Sequence, residues 1–201
     1  MTFLLYSPAS TIILAVTLVF SIMGLRNPRI IDRAILRPYW VVRKREYERL
    51  ITSGFVHADA MHLIFNMITF FFFAFPLERV IGSVPFFLLY LLALVLSDVG
   101  TCYKHRNDPN YASLGASGAV LGVLFASIVY FPNQSLFLFP IPVPIPAPLF
   151  AVGYLAYSYW QSKQNVGQIN HDAHISGALV GLAFVAVTEP RAYRNLIDYL
   201  T

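Results

Sequence analysis

Six stretches of this chain are apolar over nearly the thickness of a lipid bilayer, and nothing else in the sequence limits its fold as strongly. A helix rises about 1.5 Å per residue, so a hydrocarbon core of about 30 Å requires roughly 17 to 25 apolar residues. The stretches cover residues 8–25, 62–79, 84–100, 114–131, 148–163 and 172–188. Several reach spanning length only when their polar-looking first turns are included, as expected where those turns line a cavity instead of facing lipid. Of the 201 residues 57% are hydrophobic and 12% charged, against roughly 45–50% and 25% in an average soluble domain. The expectation is an all-α membrane protein of six transmembrane helices. No polar stretch between them is long enough to fold separately, so residues 1–201 are expected to form one domain.

The net charge of +4 does not point to nucleic acid, because the basic residues concentrate in one loop between membrane segments. That loop, residues 26–56, holds Arg26, Arg29, Arg33, Arg37, Arg43, Lys44, Arg45 and Arg49. With six spans, three Lys or Arg lie on the side of the termini and eleven on the other, a bias that puts the first loop in the cytoplasm. Within the loop, Ile30, Ile31, Ala34 and Ile35 recur at helical spacing from Arg29 to Arg37, which predicts a short interfacial helix that Pro38 stops. Pro140, Pro142, Pro144, Pro146 and Pro148 alternate with apolar residues and predict an extended, stiff connector before the fifth span. Residues 1–10 carry no Lys or Arg, so the first stretch reads as a retained helix and not a cleaved signal. The single cysteine, Cys102, excludes an internal disulfide. Asp98 is expected at the end of the third span, among headgroups.

Polar residues inside such stretches are costly and mark functional sites. Gly115-Ala116-Ser117-Gly118 opens the fourth stretch, and His174-Ile175-Ser176-Gly177 lies in the first turns of the sixth. The pattern Gly-x-Ser-Gly is weak by itself, since three fixed positions match by chance in roughly 5% of chains this long. Its setting at a helix start adds free backbone N–H groups and the positive end of the helix dipole, both suited to a developing oxyanion. The competing reading is packing, because Gly118-x-x-x-Gly122 is a small-xxx-small motif. His174, Gly177, Ala178 and Gly181 share one helix face. Two smooth strips, one carrying Ser117 and the other His174, can pack closely and let the imidazole act as general base to the hydroxyl. An interhelical hydrogen bond is the plainer role for that histidine. In the second span His62 and Asn66 lie one turn apart and offer side-chain donors to an oxyanion. A metal site among His57, His62, His171 and His174 is disfavoured: no carboxylate or cysteine accompanies them at ligand spacing, and the His57 to His62 interval puts the two on different helix faces. No metal or cofactor is expected.

His62-x-x-x-Asn66, Gly115-x-Ser117-Gly118 and His174-x-x-Gly177, in this order over six spans, resemble the rhomboid intramembrane serine proteases. The likeness covers roughly residues 49–186. It implies a six-helix bundle with a wet indentation open to the non-cytoplasmic side and both termini in the cytoplasm, the reverse of the charge bias. It implies Ser117 as nucleophile and His174 as base, an oxyanion hole of Asn66, His62 and the Ser117 N–H, and His57, Gly115, Gly118 and Gly177 lining the site. The substrate implied is a transmembrane segment of another protein, entering past the second and fifth helices beside Phe65, Phe70 to Phe73, Phe150, Tyr154, Tyr157 and Trp160. Two departures stand out. Glu48-Arg49 occurs where many members have Trp-Arg, and Leu121 where some have a tyrosine that packs on the histidine. No carboxylate is expected to complete a triad, Asp172 being expected in a loop. A catalytically silent rhomboid-like protein that binds membrane clients is the alternative, and a small transporter or channel a more distant one. Without a basic amphipathic presequence, a bacterial cytoplasmic membrane is the expected location.

Overall fold

The computed structural model describes residues 5–137, 143–164 and 169–201. Among these, four helices are long and apolar enough to cross a membrane: α1 (Pro8–Arg26), α5 (Ala60–Ile81), α6 (Ser83–His105) and α9 (His171–Thr188). The central helix, α7 (Ser117–Tyr130), is apolar but has 14 residues, about 21 Å of rise. It starts three residues later than expected because Gly115 has φ +118°, outside the helical region. Another helix, α8 (Ala147–Gln164), is 18 residues long and ends in the polar run Gln161-Ser162-Lys163-Gln164. This is a helical membrane protein.

Helix α7 is the axis of the fold. Every residue from Gly118 to Val129 is buried, as expected of a helix apolar on all sides. It packs against α5, α6 and α9. Against α9 the approach is close: a Cβ at Gly177 would run into the Gly118 carbonyl oxygen, and one at Gly181 into that of Gly122. The two glycine strips therefore meet backbone to backbone.

The first loop contains α2 (Pro28–Ala34), α3 (Pro38–Lys44), α4 (Arg49–Thr52) and a 3-10 turn at Ser53–Phe55. Pro38 does not stop a helix as expected but begins one, because a proline at N1 lacks only an N–H that the helix leaves unused. The chain between α2 and α3 is extended, and Leu36 exchanges two backbone hydrogen bonds of 3.0 Å with Ser113. Arg49 is buried and donates to the carbonyls of Asp32 at 3.0 Å and Ile35 at 2.8 Å. Trp40 faces the guanidinium from 5.2 Å, so an indole reaches this arginine from α3 although the residue immediately before it is Glu48. The basic residues here also brace the loop itself, with Arg37 paired to Asp32.

Of the proline-rich connector, Pro140 and Pro142 lie outside the described residues. Pro144–Pro146 is extended, as expected, and forms strand β2, antiparallel to β1 (Ser135–Phe137) with Leu136 opposite Ile145. Pro148 lies in the first turn of α8. A last helix, α10 (Ala192–Leu200), is tied back by the Tyr193 hydroxyl, which donates to the Leu182 carbonyl at 2.8 Å.

Glu78 is 1% exposed. Its carboxylate accepts from the N–H groups of Ala9 at 2.9 Å and Ser10 at 2.7 Å, capping α1 from α5. Glu78→Ala removes both acceptors and is expected to cost about 1.5–3 kcal/mol, seen as a lower midpoint of thermal unfolding in detergent. An unchanged midpoint would mean that water replaces the carboxylate.

Candidate active site

Ser117 is the first residue of α7, and Val120 N–H closes the first turn onto the Ala116 carbonyl at 2.9 Å. The N–H groups of Ser117, Gly118 and Ala119 precede that bond and are those a helix start leaves to other partners. Gly115 turns the chain into the helix, with the His62 ring against it: a Cβ at Gly115 would be 2.6 Å from His62 Cε1. Gly118 lies over Ser97 of α6, where a Cβ would collide with the serine hydroxyl.

His174 lies in the first turn of α9. Asn170 caps that helix by accepting from Ala173 N–H at 3.1 Å, and is itself held by Thr101. The glycine strips bring the two starts together, and His174 Nε2 lies 2.7 Å from Ser117 Oγ. Its other nitrogen, Nδ1, lies 2.9 Å from the Tyr154 hydroxyl of α8. Asp172 is not in a loop as expected: it lies within α9 and pairs with Lys104 at 2.6 Å. The helix therefore starts before the histidine, and its acid is engaged outside the serine–histidine pair.

His57 and His62 do not share a helix. Asp59 caps α5 by accepting from His62 N–H at 2.8 Å, leaving His57 in the preceding turn, where its ring meets that of His62 edge to face at 4.9 Å. His57 is fully buried. Its Nε2 accepts from Ala116 N–H at 3.4 Å, so its Nδ1–H donates to Ser21 Oγ at 2.8 Å, and that hydroxyl donates to the Phe55 carbonyl at 3.0 Å. Burial, with His62 beside it, pushes its pKa down to about 3, which suits a neutral ring that accepts. Asn66 is 8% exposed and uses one amide hydrogen on the His62 carbonyl at 2.9 Å, leaving the other.

Beside Ser117 lies a cavity of about 20 Å³ whose polar lining includes Ser53, Ser97, Asp98 and Asn170. Asp98 is not at a helix end as expected, because α6 continues seven residues beyond it to His105. Among the described residues no three His, Cys, Asp or Glu gather as a metal would need.

The rhomboid domain pattern matches residues 44–191, a stretch that contains the serine, both histidine pairs and Asn66. The chain belongs to the rhomboid family. Its similarity to the rhomboid protease GlpG of Haemophilus influenzae is 30% identity over 147 residues, 72% of this chain and 71% of that one. The putative rhomboid protease YdcA of Bacillus subtilis is 37% identical over 95 residues, 46% of this chain. The mitochondrial rhomboid protein 1 of Saccharomyces cerevisiae is 29% identical over 67% of this chain. The match spans 47% of the length of YdcA and 40% of the yeast protein.

In this rhomboid the aromatics expected beside a substrate path divide. Phe70 is fully buried against Phe86 and Tyr90, and Tyr154 turns inward to His174. Phe65, Phe72, Tyr157 and Trp160 are exposed. Sequence reasoning missed the Tyr154 contact, the Ala116 to His57 bond and the inward position of Asp98. Only the second had a local signal, the N-cap Asp59, which separates His57 from the helix that follows.

Proposed function

We propose that this rhomboid is an intramembrane serine endopeptidase acting through Ser117 and His174. The reading is carried by the 2.7 Å approach of His174 Nε2 to Ser117 Oγ at the starts of two apolar helices in a rhomboid-family chain. Ser117 Oγ attacks the scissile carbonyl carbon while its proton passes to His174 Nε2. The oxyanion is held by the Ser117 N–H, the remaining amide hydrogen of Asn66 and the His62 ring. His174 then gives its proton to the leaving amine, and the C–N bond breaks to leave an ester on Ser117. Water attacks that ester with His174 again accepting the proton, which releases the carboxylate product and restores the serine.

The substrate is a transmembrane segment of another protein, the class the family resemblance implies. The architecture in this reading is one domain of six spans over residues 1–201, with both termini in the cytoplasm and the site open to the other face. In that arrangement the shorter α7 and α8 cross where wet and polar surface shortens the apolar path. The location is a bacterial cytoplasmic membrane; the matched relatives include bacterial and mitochondrial proteins.

The test is cleavage of a single-span model substrate by the purified chain in detergent. Asn66→Ala removes one oxyanion donor, and turnover is expected to fall about 10²–10³-fold with unfolding unchanged. An Asn66→Ala rate equal to the parent's takes Asn66 out of the oxyanion hole. No cleavage by a folded parent across several substrates would favour the client-binding alternative.

A further inference from the structure

We infer that Tyr154 is the positioning residue of His174: its phenol oxygen accepts a hydrogen bond from Nδ1–H and so keeps the unprotonated Nε2 on the Ser117 hydroxyl. The inference rests on the protease reading above.

A neutral imidazole carries one proton, on either nitrogen. A ring that is to take the Ser117 proton at Nε2 must carry its own at Nδ1, and a buried Nδ1–H needs an acceptor. Tyr154 Oη is at 2.9 Å. The nearest acid in sequence, Asp172, is held by Lys104, and Leu121, one turn after the serine, has no polar atom. When Nδ1–H donates, the phenol's own proton needs an acceptor in turn. Ser158 is one turn further along α8 and fully buried, with its hydroxyl on the Tyr154 side chain and engaged by no other residue among those described.

The phenol is held where it is needed. Its ring stacks on Phe150 at 5.6 Å, tilts against Phe125 at 6.3 Å and lies at 29° to the imidazole plane. The aliphatic Leu121 belongs to the same buried cluster. A phenol aimed this way restrains both the rotation and the tautomer of the imidazole, which a purely apolar neighbour does not.

Tyr154→Phe deletes only the oxygen. Cleavage of the single-span substrate is expected to lose about tenfold in kcat with KM unchanged, and a fluorophosphonate should label Ser117 more slowly by a similar factor. The decisive measurement is ¹⁵N NMR of the histidine-labelled full chain in detergent micelles, with His174→Ala identifying its signals. The parent is expected to show His174 with the proton on Nδ1, and Tyr154→Phe a mixture with Nε2–H. Tyr159→Phe, at an exposed ring of the same helix, should match the parent in rate and spectrum. A His174 that keeps the proton on Nδ1 in Tyr154→Phe overturns the inference whatever the rate does, as does an Nε2–H ring in the parent. Cleavage surviving in Ser117→Ala would overturn Ser117 as the nucleophile instead, and the tautomer, read without turnover, separates the two failures.

Discussion

Ser117→Ala is expected to lower cleavage of a single-span substrate by about 10⁴–10⁶-fold. The reaction in the proposed reading runs through an ester on Oγ, and without the hydroxyl that ester does not form. His174→Ala should lose nearly as much, because an alcohol with no adjacent base is a poor nucleophile. The double variant should be no worse than either single one, since the two groups act as a unit. Initial rates of all three, with thermal unfolding as a control, make the test. A double variant slower than both single ones by the product of their losses would mean that serine and histidine act independently, and the shared mechanism would fall. The fold should tolerate these changes, both side chains being only half-buried.

The second large effect concerns the contact between α7 and α9. Gly177→Val should unfold the protein in detergent or, where the fold survives, remove cleavage by more than about 100-fold. Its Cβ would occupy the place of the Gly118 carbonyl oxygen, and neither backbone can move aside without parting the helices. Overpacking of mobile side chains costs about 1–3 kcal/mol, and a clash with backbone within one turn of Ser117 and His174 belongs above that range. Gly153→Ala on α8 supplies the contrast, because a Cβ there meets nothing within 4 Å. That change should leave stability unchanged or raise it by up to about 1 kcal/mol. Unfolding midpoints and cleavage rates of both variants decide the matter. A stable, active Gly177→Val would show that the close approach is dispensable.

The helices were legible in the sequence wherever apolar length alone decides them, as in α1, α5 and α9. Their ends were less so. A reading based on apolar side chains ends the third span near residue 100, but the helix backbone needs no apolar side chain to continue. It runs to His105, with Lys104 meeting Asp172. At Pro38 the same residue type that ends a helix from inside begins one from its first position. Ser117 and His174 stood out because a hydroxyl and an imidazole are rare in apolar sequence. That two glycine strips would bring their helices into contact followed from the spacing of small residues, whereas the 2.7 Å distance did not. Tyr154 was hidden for the opposite reason. A tyrosine on an apolar helix resembles a membrane-interface residue, and its partner lies 20 positions away on another helix.

The backbone leading into Ser117 is held from earlier in the chain. Ser113 pairs with Leu36, Gly115 N–H donates to the Ser53 carbonyl at 2.9 Å, and Ala116 N–H reaches His57. The hydroxyl's own partner comes 57 positions later. During synthesis, which proceeds from the N-terminus, the residues that hold this backbone, Leu36, Ser53 and His57, are therefore made before Ser117, and His174 only with α9. In the proposed reading the ability to cut therefore begins only once α9 has been made and has packed on α7.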